Sequence, residues 1–276
     1  MKRPVQANQQ FTAYFGFLTE PFAKDVAAKS LFLTSQLKTL FARLTQLIAR
    51  RGLALITGEV GSGKSTAIRA FAESLEKNQF DWVYLEDPTI GMRGLWTSVA
   101  TQLGLNLKFF KWQLMPTIKS AIEKNYHDYH KTTIIVIDDA QLLKPTALEE
   151  LRLFTSFRID SHSPMMMILL AQPEFRKLVG LKALEAFSQR LTLRAHLTGL
   201  DQNEAKEYIA HLLAIAGRTD PLFTDDVIVE IYQHAKGLPR VINTICYDCL
   251  WDAYEQQNSL VDLPTLERVL CRYDET

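Results

Sequence analysis

The stretch GEVGSGKST, Gly58 to Thr66, directly follows the apolar run LALIT and opens the helix-patterned segment KSTAIRAFAESLEK. No other local pattern in this chain constrains its fold as tightly. Gly58, Gly61 and Gly63 let successive backbone N–H groups curl round an anion, with Glu59, Val60 and Ser62 supplying the intervening backbone. A helix starting behind the loop adds about half a unit of positive charge at its N-terminus. Lys64 is placed to reach β- and γ-phosphates as a point charge, and the Ser65 hydroxyl to bind Mg²⁺. Thr66 reads as a helix-start residue within reach of the α-phosphate. Strand, loop and helix in this order are the context a phosphate-binding loop demands, so the segment predicts nucleotide binding.

A second segment completes the pattern. IIVIDDAQ, Ile134 to Gln141, carries Asp138 to the C-terminal end of an apolar strand, where ligands of α/β sheets sit. Asp138 is the expected indirect partner of Mg²⁺. Asp139 stands one residue on, where a general base would polarise water.

Between and beyond these motifs, strand-like apolar runs alternate with helical periodicity. LALIT, WVYLE, TIIVID, MMILLA and LTLRAHL read as five strands, separated by helices such as RGLWTSVATQLG and PTALEELRLFTSF, the latter with Pro145 in its first turn. Continuous apolar strands joined by helices predict a parallel five-stranded sheet with helices on both faces. After Gly199 the strands stop. Asp201 with Glu204 forms a capping-box pattern, Thr224 reads as an N-cap and Gly237 as a helix stop. The expected domains are an N-terminal arm and helix over 1–50, an α/β domain over 51–198 and a small all-helical lid over 199–276.

Composition excludes several classes. The 276 residues carry 31 basic and 31 acidic side chains, so no global field advertises nucleic acid. The N-terminus MKRPVQANQQ lacks the apolar core of a secretory signal, and MMMILLA is too short to span a bilayer. The chain is therefore expected to be soluble and cytoplasmic, without a membrane partner. Cys246 and Cys249 have CxxC spacing, open to a metal or redox reading. No second ligand pair is nearby, and two small residues one turn apart on an apolar helix is the favoured reading.

A phosphate loop followed by a helical C-terminal region resembles the AAA+ ATPases. Within them the sequence is similar to the ExeA/GspA-type (AAA_22) group in YFGFLTEPF, GEVGSGKST, DDAQLL, AQPEF, SQRLTLRAHL and GLPRVIN, in that order along the chain. The resemblance implies ATP with Mg²⁺ as cofactors. It implies that Gln172 orients the attacking water, that Arg190 reaches into a neighbouring subunit's site, and that Arg240 reports the γ-phosphate to the lid. Planar guanidinium groups suit both phosphate tasks. The arm around Phe22 is expected to close over the adenine. One departure stands out: the group usually has Asp-Glu, and this chain has Asp138-Asp139. A catalytic group misplaced by about 1 Å can cost on the order of 10²-fold, which predicts slow hydrolysis.

An arginine acting in trans predicts a homo-oligomeric ring or filament. Secretion-pathway members of the group continue into a transmembrane segment and a cell-wall-binding part, whereas this sequence ends at Thr276 after the lid. It thus resembles the transposon-encoded target-selection ATPases of the TnsC/MuB/IstB kind, which polymerise on duplex DNA and recruit a transposase. Gly91 to Lys131 holds six basic residues against two acidic ones, a net +4. In AAA+ DNA binders this segment commonly faces the pore. Arg93, Lys108, Lys111 and Lys119 are the expected phosphate contacts, with a solvated helix face as the alternative; Arg50 and Arg51 form another basic patch. The alternative function is an ATPase that assists a secretion or envelope complex without DNA.

Overall fold

The computed structural model describes residues 4–23, 30–106, 111–157 and 163–274. Its elements are α1 (Pro4–Phe15), α2 (Ser35–Arg50), β1 (Leu53–Gly58), α3 (Lys64–Ser74), β2 (Phe80–Leu85), α4 (Gly91–Gln102), α5 (Lys111–Tyr129), β3 (Thr132–Ile137), α6 (Pro145–Phe154), β4 (Met165–Ala171), α7 (Phe175–Val179), α8 (Glu185–Arg190), β5 (Leu191–Leu197), α9 (Gln202–Ile215), α10 (Asp225–Ala235), α11 (Pro239–Glu255) and α12 (Leu263–Asp274). They form two units. One draws on residues 35–59 and 64–197, the other on 1–34, 60–63 and 198–276.

The first unit is α/β. Its five strands run in the order β2-β3-β4-β1-β5, and every pairing is parallel. The three inner strands are buried along their whole length, because a strand covered on both faces must be apolar on both. The edge strand β5 instead alternates, with Thr192 and Arg194 turned outward. Leu55, Ile135, Ile137 and Met167 meet α4, α5, α6 and α8 on one face. Ala54, Ile56, Ile134 and Ile168 meet α2 and α3 on the other. The expected two-faced parallel sheet is therefore observed.

The second unit is helical. Asp201 accepts the Glu204 N–H at 2.8 Å and the Glu204 carboxylate accepts the Asp201 N–H at 3.2 Å, so the capping box forms as read. Thr224 takes the N-cap backbone position without a side-chain cap bond. Gly237 has φ +70°, and a Cβ there would lie 2.1 Å from the Leu200 oxygen, so only glycine fits this close approach. The aromatic arm belongs to this core: Phe11 stacks on Trp251 at 4.4 Å, and Phe15, Phe17 and Phe22 are buried among α9–α12 side chains. The N-terminal 50 residues are thus divided, α1 with the helical core and α2 with the sheet. Asp252 is fully buried and accepts from Arg268 at 2.6 Å and Arg272 at 2.5 Å.

Cys246 and Cys249 are buried free thiols on α11. Burial pushes both pKa values up, that of Cys249 to about 12, which makes them poor thiolate ligands. No cluster of three metal-ligating side chains occurs among the described residues. Nor is any described helix long and apolar enough to cross a membrane.

Candidate functional site

Because all five strands are parallel, their C-terminal ends share one edge of the sheet. The glycine loop leaves β1 there, Asp138 follows β3, and Gln172 follows β4. Just ahead of the loop, Thr57 Oγ1 donates to the Ala195 carbonyl at 3.2 Å and lies 3.1 Å from His196 Nδ1, fastening β1 to β5.

Within the loop, Gly61 and Gly63 adopt φ +82° and +89°. A Cβ on Gly63 would meet nothing within 4 Å, so the space over the helix start is open. Glu59 and Val60 are exposed, whereas Ser62 and Lys64 are buried. Lys64 Nζ donates to the Gly58 and Glu59 carbonyls at 2.8 and 3.0 Å, folding the ammonium back over the loop. Ser62 Oγ is buried with no hydrogen-bond partner. An open cradle, an inward ammonium and an orphaned hydroxyl at the head of an eleven-residue helix suit a polyphosphate. Thr66 lies half-buried in the first turn of α3.

The two residues expected to hold Mg²⁺ lie side by side. Ser65 Oγ donates to Asp138 Oδ2 at 2.7 Å, although the two residues are 73 apart in the chain. The other carboxylate oxygen, Oδ1, accepts the Asp139 N–H at 2.9 Å. A hydroxyl beside a strand-end carboxylate is a donor set that suits Mg²⁺. Sequence reasoning missed Tyr84, whose phenol donates to the same Oδ2. Burial, then the Asp138 carboxylate, push the Tyr84 pKa well above its ordinary value, so the phenol stays protonated and donating. Tyr84 lies one residue before the end of β2, paired with Val136. Only the strand order could have pointed to it.

Asp139 sits in left-handed backbone, φ +46°, and its side chain is exposed. Gln141 Nε2 donates to Asp139 Oδ1 at 2.9 Å, and Gln141 Oε1 accepts the Gln172 backbone N–H at 3.1 Å. The amide thus links the two strand ends that carry the expected base and the expected water-orienting residue. Gln141 lies inside the DDAQ stretch, yet nothing local marks it as a bridge.

Arg190 ends α8, where its Nη2 donates to Ser156 Oγ at 3.0 Å. It stands at the sheet edge opposite the glycine loop, because β5 begins at Leu191 beside Leu53 and ends at Leu197 beside Gly58. Arg50 and Arg51 line the same cavity of about 470 Å³ as Arg190, together with Thr192. The Arg51 guanidinium lies 4.4 Å from the Tyr126 ring centre. Within the helical unit, Arg240 is exposed in the first turn of α11, and its N–H donates to the Gly61 carbonyl at 3.2 Å.

Two expectations need correction. Lys119 does not extend outward to meet phosphate: its ammonium donates to the Ser156 carbonyl at 2.5 Å and lies 4.6 Å from the Phe157 ring centre. Carbonyls just past the end of α6 and an aromatic face satisfy a half-buried cation that would lose both by turning to solvent. Phe22 is not open to an adenine. It is 7% exposed and packs edge-on against Phe223, because an aromatic ring gains more from core burial than from a surface position. Arg93 is exposed on α4, and Lys111 opens α5. Lys108 lies outside the described residues.

Comparison with known proteins agrees with this geometry. Residues 45–179 match the family described as AAA domain (AAA_22). General secretion pathway protein A of Aeromonas hydrophila is 28% identical over 255 residues, covering 88% of this chain and 45% of that protein. The chain therefore spans less than half the length of this relative. Among solved structures, ORC2 of Aeropyrum pernix in ADPNP–ADP complexes superposes with a TM-score of 0.70 at 14% identity, covering 91% of this chain and 70% of that one. Cdc6p from Pyrobaculum aerophilum gives 0.65 at 13%, covering 91% and 68%. Domain III of the Thermotoga maritima replication initiation protein DnaA gives 0.57 at 15%, covering 92% and 98%. These structural likenesses establish the fold. A parallel sheet in this strand order, a phosphate loop after β1, an acidic pair after β3 and a helical C-terminal unit define an AAA+ ATPase. Within that class, the family match over residues 45–179 and the sequence relative make the chain similar to the ExeA/GspA-like group, and a nucleotide with Mg²⁺ fits the site.

Proposed function

We propose that the chain is a cytoplasmic, ATP-dependent oligomeric switch that assembles on duplex DNA without sequence preference and recruits or activates a transposase. The observation that carries the oligomeric part is the placement of Arg190. The register of β5 on β1 separates it from the glycine loop by about five residue rises, roughly 17 Å along the strands. That is further than an arginine side chain reaches, so a phosphate partner for Arg190 would have to belong to a neighbouring copy of the chain, in a head-to-tail assembly.

In this reading the residues divide the work. The loop N–H groups and Lys64 hold the phosphates, while Ser65 and Asp138 hold the cation and Tyr84 steadies Asp138. Asp139 accepts the proton of the attacking water and Gln172 orients that water. Arg190 of the adjacent copy offsets charge developing on the phosphoryl oxygens. Arg240 links the helical unit to the nucleotide state. Bound ATP supplies the scissile anhydride, and Mg²⁺ offsets charge on its oxygens.

Support for DNA comes from the basic excess between Gly91 and Lys131, in which Arg93 is exposed, although Lys119 and Lys131 are engaged within the protein. ORC1 of Aeropyrum pernix in complex with DNA and Drosophila ORC bound to DNA share the fold, with TM-scores of 0.65 and 0.57 at 14% identity. The secretion-pathway relative favours a second reading, an ATPase that assists a secretion or envelope complex without DNA. Sedimentation with short random duplexes decides between them. The first reading expects ATP-dependent, salt-sensitive, sequence-independent co-sedimentation. Absence of binding at low salt, with ATP-driven self-assembly retained, would leave the second.

A further inference from the structure

We infer that Gln141 is a positioning residue for hydrolysis: its side-chain amide sets the Asp139 carboxylate and ties it to the strand end that carries Gln172. This inference rests on the ATPase reading of Asp139 and Gln172 given above.

The amide orientation follows from its partners. The Gln172 backbone N–H can only donate, so it requires the amide oxygen; the opposite end, facing a carboxylate, must be the NH₂ group. Both ends meet their partners, at 3.1 and 2.9 Å, so the Gln141 side chain is held at two points. Its backbone lies in the short 3-10 turn Ala140–Leu142, two residues beyond Asp139. Among the described hydrogen bonds, Asp139 Oδ1 accepts from Gln141 and Oδ2 accepts from none. The terminal torsion of an Asp is broad and roughly two-fold. A donor on Oδ1 narrows that freedom and leaves Oδ2 as the oxygen offered to water. A neutral amide does this without a nearby positive charge, which would lower the basicity of the carboxylate. The device matters more here than for a longer acid. Asp139 is exposed and in left-handed backbone, so little packing holds its side chain. The second anchor ties the carboxylate to the paired and fully buried strands β3 and β4.

Two substitutions separate this role from a merely structural tie. Gln141→Ala removes both bonds. Gln141→Glu keeps an acceptor for the Gln172 N–H but loses the donor and sets a second negative charge against Asp139. Asp139→Asn is the control for the underlying reading. The measurements are kcat for ATP, affinity for a non-hydrolysable ATP analogue, retention of ADP with aluminium fluoride, and the thermal unfolding midpoint. The inference expects both Gln141 variants to lose about 10- to 100-fold in kcat and to retain ADP–aluminium fluoride poorly. Analogue affinity should be unchanged, as should the unfolding midpoint of Gln141→Glu. Adding Gln141→Glu to Asp139→Asn should cost little more, because residues that act as a unit are not additive. Wild-type kcat in Gln141→Glu, with turnover abolished in Asp139→Asn, would overturn the inference and leave the ATPase reading standing. Wild-type turnover in Asp139→Asn would overturn both.

Discussion

Tyr84 and Ser65 donate to the same oxygen of Asp138, one from β2 and one from the first turn of α3. Were Ser65 to turn its hydroxyl to a cation, Tyr84 would still hold the carboxylate. Replacing Tyr84 by Phe therefore removes a hydrogen bond to a charged group, worth about 1.5 kcal/mol or more. The expected outcome is a rise of about tenfold in the Mg²⁺ concentration needed for half-maximal ATP-analogue binding. Analogue affinity in EDTA should stay put. Titration of Mn²⁺ by electron paramagnetic resonance in the presence of ADP reads the same change without turnover. An unchanged metal midpoint would remove Tyr84 from the site.

Asp139 is one methylene shorter than the glutamate that the resemblance to the ExeA/GspA-type group implies at this position. Asp139→Glu is expected to raise kcat by about tenfold and to leave nucleotide affinity within about twofold, since a change of about 1 Å in a catalytic group is worth up to 10²-fold. Steady-state kinetics with a coupled phosphate assay checks it. A variant no faster than the parent would show that side-chain length does not limit the rate.

Arg190 and Lys64 occupy opposite edges of the sheet in one chain, so each can be broken separately. Arg190→Ala retains a working phosphate loop, and Lys64→Ala retains the arginine. Each alone is expected to lose at least about 10²-fold in hydrolysis. Mixed together, they should regain a fraction of activity that rises with the share of correctly ordered neighbours. Failure of every mixture to exceed the separate activities, despite co-assembly by sedimentation, would contradict action in trans.

The helical unit should be sensitive to base. Burial raises Cys249 and Tyr208 to about 12 and lifts Cys246 well above its ordinary value. In the unfolded chain these groups lose their protons near pH 8.5 to 10, about their ordinary values. Above that range the unfolded state binds fewer protons than the native state, so stability falls as pH rises; below it these groups cost nothing. Thermal midpoints are expected to hold between about pH 7 and 8 and to drop steadily from about pH 9, with Cys249→Ala shifting the onset upward. A flat profile to pH 11 would contradict the buried placement of these groups.

Much of the site was legible without coordinates. The loop, the Asp138–Asp139 pair, the capping box and the strand pattern depend on neighbours in the chain: left-handed glycines, periodicity and local hydrogen bonds. Ser65 with Asp138, and the place of Gln172 at a strand end, followed once a parallel sheet was assumed. The side chains that steady these groups were not legible. Tyr84 reaches Asp138 across 54 residues and Gln141 meets Gln172 across 31, so both depend on which strands lie side by side.

The same distinction explains the corrections. Lys119 and Phe22 carry the right chemistry for phosphate and for a base, and sequence shows only that chemistry. Whether a cation turns outward or caps Ser156, and whether a ring meets a ligand or Phe223, is a competition between solvent and the interior. Packing settles it. The sequence alone determined that this chain builds a phosphate loop on a parallel sheet and follows it with helices, because those features are written in contiguous residues. The tertiary structure decided which side chains meet Asp138, Asp139 and Gln172, and that Arg190 lies at the sheet edge away from its own loop, because strand order and register set distances that no local pattern contains.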